Sequence, residues 1–86
     1  MPTISQFYGI TIRMYFDDHA PPHFHVYYGS DAATIEIDGL SVLEGKVRRR
    51  TLALVTEWAA VHREELRQNW DRAVAHQPLQ EIAPLE

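Results

Sequence analysis

The hydrophobic period of this chain changes once, and that change limits the folds open to it. Between residues 10 and 38 apolar side chains alternate with polar ones; from about residue 48 to 75 they recur every three or four residues. A period of two puts every second side chain on one face of a strand, and a period near 3.6 draws a stripe along a helix. Strands that precede the helical part, rather than alternating with it, point to an antiparallel sheet with helical cover. The expected class is α+β: a three- to four-stranded antiparallel meander, one face covered by a long or kinked C-terminal helix, or by two helices. The 86 residues make one domain, with sheet over about 3–44, helix over about 48–76 and an irregular tail over 77–86.

The alternation assigns faces. In "ITIRMYF", Ile10, Ile12, Met14 and Phe16 point inward and Thr11, Arg13 and Tyr15 outward. In "FHVYY", Phe24, Val26 and Tyr28 point inward and His25 and Tyr27 outward; in "AATIEID" the inward set is Ala33, Ile35 and Ile37. "DDHAPPH" separates the first two runs, because proline gives no N–H to a ladder and restrains the residue before it. "GSD" turns the chain, Val42–Leu43 reads as a short strand and "TISQF" as an edge strand. Matching inward residues pairs Phe16 with Phe24, Met14 with Val26 and Ile12 with Tyr28, then Tyr28 with Ala33, Val26 with Ile35 and Phe24 with Ile37. The outer face then carries the rows Tyr15–His25–Glu36 and Arg13–Tyr27–Thr34, with His23 near Asp38.

From Thr51 no proline or glycine interrupts the chain until Pro78. Leu52, Val55, Ala59, His62, Leu66 and Ala73 form an apolar stripe, widened by Leu54, Trp58, Val61 and Trp70. One helix over 48–75 would run about 40 Å, long for so small a domain, and the acids of "HREEL" suit a second helix start near His62. Glu64/Arg67 and Arg67/Asp71 have the spacing of surface ion pairs. Leu79 and Ile82 are expected to dock the tail. The Trp, Leu and Val mixture of the helix would also serve a homodimer face.

Charge and composition narrow the function classes. There is no cysteine, hence no disulfide framework, thiolate metal site or cysteine nucleophile, which suits a cytoplasmic protein. "MPTISQFYG" lacks the basic start and apolar run of a signal peptide, and no stretch approaches the length of a membrane span, so no membrane partner is expected. The net charge of −4 argues against a dedicated nucleic-acid binder. Lys46, Arg48, Arg49 and Arg50 nevertheless crowd the helix start, where cations oppose the dipole, and offer contacts to phosphate, RNA or an acidic partner. No glycine-rich phosphate loop, Ser-His-Asp set or zincin motif is present.

"HAPPHFHVYYG" holds the chemistry. His23 and His25 are two apart in a strand and share a face; His19 lies beyond a stiff Pro-Pro unit. His19, His23 and His25 would give three nitrogen ligands for a divalent metal such as zinc, with Glu36 or Asp38 to orient them. A metal-free reading uses the same face for acid–base chemistry. His25 and Glu36 would move protons, Arg13 would steady phosphate charge, and Tyr15 and Tyr27 would stack on bases. In the bland reading His25 is a cross-strand partner, His19 supports its own loop and His62 is a core or hinge residue.

The stretches "MPTISQFYGITIRMYFDDHAPPHFHVYYG", "IEIDGLSVLEGKV" and "LALVTEWAAVHREELRQNW", with "PLQEIAPL" at the end, closely resemble the bacterial family called domain of unknown function 4160. Its H-x-P-P-H-F-H-V signature is present as His19, Pro21, Pro22, His23, Phe24, His25 and Val26. Many members have a proline where this chain has Arg48, so the helix start is expected to differ. The resemblance implies a small single-domain protein encoded beside a member of domain of unknown function 2442, in the manner of a toxin–antitoxin module. Three functions follow as expectations: a toxin-like effector acting on RNA or translation; a non-catalytic regulatory module binding the adjacent gene's product; and a metal enzyme with no other cofactor.

Overall fold

A computed structural model describes residues 2–86. Five strands, β1 (Thr3–Phe7), β2 (Ile10–Arg13), β3 (His23–Tyr28), β4 (Asp31–Glu36) and β5 (Val42–Lys46), precede two helices, α1 (Arg49–Val61) and α2 (Arg63–Val74). The strands form one antiparallel meander in sequence order. The class is α+β as expected, but the sheet has five strands rather than three or four. "TISQF" is a full edge strand, and the short strand at Val42–Leu43 extends to Lys46 with all five residues exposed. Among the described residues no helix is long and apolar enough to cross a membrane.

Turn chemistry sets the register. Phe7 faces Ile10, and the two residues between them, Tyr8 and Gly9, have φ of 51° and 79°. Two consecutive left-handed residues are what a two-residue type I′ hairpin requires. Tyr28 likewise faces Asp31 across Gly29-Ser30, with Gly29 at φ 58°. This tight turn corrects the expected β3–β4 pairing by two residues, and the β2–β3 pairing, across the longer loop, also differs from expectation by two. Val26 lies opposite Ile12 and Ala33, and Phe24 opposite Ile35. A slip of two leaves every side chain on its expected face, so face matching alone does not detect it. The outer rows change as a result: His25 lies between Arg13 and Thr34, and Thr34 faces Glu44 of β5.

The inner face is Ile10, Ile12, Phe24, Val26, Ala33 and Ile35, all buried. Trp58 of α1, fully buried, rests on it with ring centroids 5.3 Å from Phe7 and 6.0 Å from Phe24. Loss of so large a buried ring costs about 3–5 kcal/mol. The helical part breaks at His62, where φ is −109° and ψ 23°, and Glu64 and Glu65 occupy the first turn of α2. The buried face of α1 is Thr51, Val55, Trp58 and Ala59, and Val61, its last residue, lies off that face and is 75% exposed, contrary to expectation. Arg67 bonds neither Glu64 nor Asp71. Its Nε and Nη2 donate to Asp38 Oδ1 at 3.0 and 2.7 Å, tying α2 to the end of the sheet. Asp38 is thereby taken from its expected place beside His23.

The tail is irregular but docked. Ile82 is buried and its amide donates to Ile4 O at 2.8 Å; Trp58 Nε1 donates to Ala83 O at 2.8 Å. Asn69 of α2 is buried and clamps Gln80 at both backbone groups, at 2.8 and 2.9 Å. Leu79 packs against the core, partly buried.

Candidate metal centre

The loop between β2 and β3 folds back over the start of β3. Ile37 N–H donates to Pro22 O at 3.0 Å, holding the second proline against the end of β4, and the Ala20–Pro21 peptide is cis. Asp18 lies on the same loop and its carboxylate reaches the imidazoles. Its Oδ2 lies 2.7 Å from His25 Nε2 and 3.1 Å from His23 Nε2. The donor atoms of Asp18, His23 and His25 all lie within 4.8 Å of one another.

The other nitrogen of His23 decides what this contact means. His23 Nδ1 lies 2.7 Å from Pro21 O. A carbonyl oxygen only accepts, so Nδ1 carries the hydrogen and the neutral ring has its lone pair on Nε2. That lone pair faces a carboxylate oxygen, another acceptor. Two acceptors at 3.1 Å repel unless a cation joins them, either a proton on Nε2 or a metal ion ligated by both. A ring N–H given to a backbone carbonyl is also the usual support of a metal-ligating histidine, fixing its tautomer and its aim. Two ligands about 2.0–2.2 Å from a tetrahedral ion lie roughly 3.3–3.6 Å apart. The carboxylate oxygen is therefore within a few tenths of an ångström of ligating distance from His23 Nε2, while His25 Nε2, at 2.7 Å, would have to draw back by roughly 0.6–0.9 Å to share an ion. Two imidazoles and one carboxylate, with positions left open, match zinc and non-haem iron(II) sets.

The shell around the cluster is aromatic. Trp70 of α2 lies against His23 at 5.1 Å between centroids, keeping that ring buried. Tyr15 meets the His25 ring edge-on at 4.6 Å, and Tyr27 lies parallel to it at 6.5 Å. The Tyr15 and Tyr27 hydroxyls share a hydrogen bond of 2.7 Å. Burial, then that bond and its charge, push the Tyr27 hydroxyl up to about 12, against the pull of Arg13. Arg13 lies 5.3 Å over the Tyr27 ring and donates from Nε to Thr3 Oγ1 at 3.3 Å. A cavity of about 440 Å³ opens beside the cluster, lined by Asp18, His19, Pro21, His23, His25 and Glu44 among others.

Of the residues expected from sequence, His25, Tyr27, Tyr15 and Arg13 are brought together here, and His23 joins them. Glu36 is not. It lies opposite His23 along the backbone, but its carboxylate accepts from Ser41 Oγ at 3.5 Å. His19 is exposed and lines the cavity without joining the donor cluster; Asp18 takes its place. Sequence reasoning missed Asp18 because its approach depends on how the loop folds back, although an acid five residues before His23 was legible. Lys46, Arg48, Arg49 and Arg50 lie elsewhere. Arg48 pairs with Asp31 and covers Tyr28 at the far end of β3, five residue steps or about 17 Å from His23.

The model of the family described as domain of unknown function (DUF4160) matches residues 9–71, from the first hairpin to within α2. The chain belongs to this family. The match contains the whole donor cluster, while β1 and the docked tail lie largely outside it. The DUF4160 description carries no activity, so the chemistry must be argued from the site. No curated protein and no solved structure gives a significant match.

Proposed function

We propose that this DUF4160 protein binds a divalent transition metal through Asp18, His23 and His25 and acts through that ion on a ligand in the adjoining groove. The observation that carries the reading is the His23 ring. Nδ1 is committed to Pro21 O, which turns Nε2 toward Asp18 beside His25, where a cation must join nitrogen and oxygen. An ion held by three protein donors keeps coordination positions open and supplies Lewis acidity there. Glu36 and His19 are not part of this set. Cobalt(II) titration followed by visible absorption tests it. The wild type should saturate at one equivalent with the bands of a low-coordinate site. Asp18→Asn and His25→Ala should each weaken uptake by at least about tenfold, and His19→Ala should change nothing. Uptake that depends on His19 and not on Asp18 would reject the assignment.

A second reading keeps the sheet face free of metal and makes the protein a toxin-like effector of a two-gene module, acting on RNA in the cytoplasm. What supports it is Arg13 held over Tyr27, with the Tyr15–Tyr27 hydroxyl pair beside His25. Induced expression separates the two. Growth arrest lost on Arg13→Ala or Tyr27→Phe, yet kept in Asp18→Asn, belongs to the metal-free face. Arrest lost on Asp18→Asn belongs to the metal. A module that only binds its neighbour's product would arrest nothing and would co-purify with it.

A further inference from the structure

The N-terminus of α1 is built against its own dipole. Arg49 and Arg50 open the helix after Arg48 at the cap, with no acid in the first turn and no side-chain cap. The first intrahelical bond runs from Leu52 N–H to Arg48 O, so the amides of Arg49, Arg50 and Thr51 have no partner within the helix. The Arg48 amide and guanidinium are both occupied by Asp31. Arg50 enters no ion pair among the described residues.

A cavity of about 60 Å³ lies at this helix start, walled by Tyr8 of the first hairpin turn and by Tyr28, and lined by Arg48, Arg50 and Thr51. No carboxylate lines it among the described residues. Where one water needs about 10–15 Å³, this space admits a tetrahedral oxyanion. Thr51 gives the independent sign of a ligand. It is 2% exposed and lines the cavity, and its hydroxyl makes no hydrogen bond among the described residues. Among the described residues Ser5 Oγ is the one fully enclosed side-chain polar atom without a partner, so the Thr51 hydroxyl is not fully enclosed, and the cavity is the open space that Thr51 lines. Buried hydroxyls are ordinarily satisfied, and one left open beside free amides and an unpaired guanidinium is a donor set awaiting an acceptor.

We propose that this cavity binds a phosphate group, held by the Thr51 hydroxyl, the Arg50 guanidinium and the free amides of the first turn of α1, with Tyr8 at the rim. The site is independent of the metal centre. An oxyanion here neutralises the cationic start of α1 and meets the positive end of its dipole. Tyr8, 56% exposed, offers an aromatic face to whatever carries the phosphate.

Isothermal titration of the full chain with inorganic phosphate, in buffer free of other oxyanions, tests the proposal. The wild type should bind one equivalent saturably in the millimolar range or tighter. Arg50→Ala and Thr51→Val should each weaken binding by about tenfold or more, the scale of a charge-assisted hydrogen bond. Arg49→Ala, which alters the same charge run outside the cavity, should stay within about twofold of wild type. Should Thr51→Val fail to fold, Thr51→Ser must retain binding and the Arg50 variant still decides. A second arm compares 5′-phosphorylated with 5′-hydroxyl oligoribonucleotides. Phosphate-dependent binding tighter than that of the free anion assigns the group to RNA; equal binding assigns it to a free oxyanion. Absence of saturable phosphate binding, or equal losses in the Arg49 and Arg50 variants, would overturn the site.

Discussion

Asn69→Ala removes the clamp that holds the tail against α2. The lost contacts are Nδ2 to Gln80 O at 2.8 Å and Gln80 N–H to Oδ1 at 2.9 Å, at a side chain 1% exposed. Two neutral hydrogen bonds of about 0.5–1.5 kcal/mol each give a loss of about 1–3 kcal/mol. Two effects modify it. Gln80 is exposed, so its freed amide and carbonyl turn to water and no orphaned-group penalty is added. Alanine is the better helix former by about 0.6 kcal/mol, which offsets part of the loss. The net expectation is about 1–2 kcal/mol. With a urea slope of about 1 kcal/mol/M for so small a domain, the midpoint should fall by about 1–2 M. The same clamp steadies the helix whose Trp70 covers His23, so metal affinity should fall as well. Urea denaturation followed by tryptophan fluorescence gives the first quantity, and hydrogen exchange at the Gln80 amide gives a local check. A variant that unfolds at the wild-type midpoint with Gln80 still protected would show that the tail is held by Ile82 and Trp58 alone.

Three further outcomes follow from single contacts. Gly45→Ala should destabilise by more than about 1–2 kcal/mol, because φ is +78° and an added Cβ would run into the Ala32 carbonyl oxygen; an unchanged thermal midpoint would place β5 elsewhere. Arg48 holds the Asp31 carboxyl below its ordinary value through a hydrogen bond and its charge, so the pair's stabilisation is present above about pH 4 and is lost as pH falls through the lowered value. Acid titration should show that loss in the wild type and not in Arg48→Ala, and salt should weaken it. In Tyr15→Phe the Tyr27 hydroxyl should titrate below about 12 by ultraviolet absorbance, since the bond and charge of Tyr15 are two of the causes raising it. Its wild-type contribution to stability should fade as pH rises from about 10 to about 12, where the unfolded chain already ionises.

The sequence is explicit about faces and silent about distances along them. Alternation placed His25, Tyr27 and Arg13 outward and Phe24, Val26 and Ile35 inward, because a strand has only two sides. It did not fix which outward residues are neighbours. The two-residue turn at Gly29-Ser30 moved Thr34, rather than Glu36, opposite His25, and a move of two residues leaves no trace in the hydrophobic pattern. Tyr15 still reaches His25, not as a strand neighbour but from beyond the end of β2. The break at His62 was legible in "HREEL", because acids favour a helix start; the exposure of Val61, at the last position of α1, was not. Asp18 marks the deepest limit. Its place follows from the path of a nine-residue loop between β2 and β3, and loop paths are tertiary outcomes rather than periodic ones.

The metal content of the untagged protein, purified without chelator and then offered zinc, cobalt(II) and iron(II) in turn, tests the central claim most directly. Convergence of Asp18, His23 and His25 on one ion predicts close to one equivalent of a divalent transition metal per chain, retained through gel filtration and lost in Asp18→Asn. Protein that arrives without metal, and leaves gel filtration without metal after each ion, would contradict it. The short contacts among the three side chains would then be held by a proton.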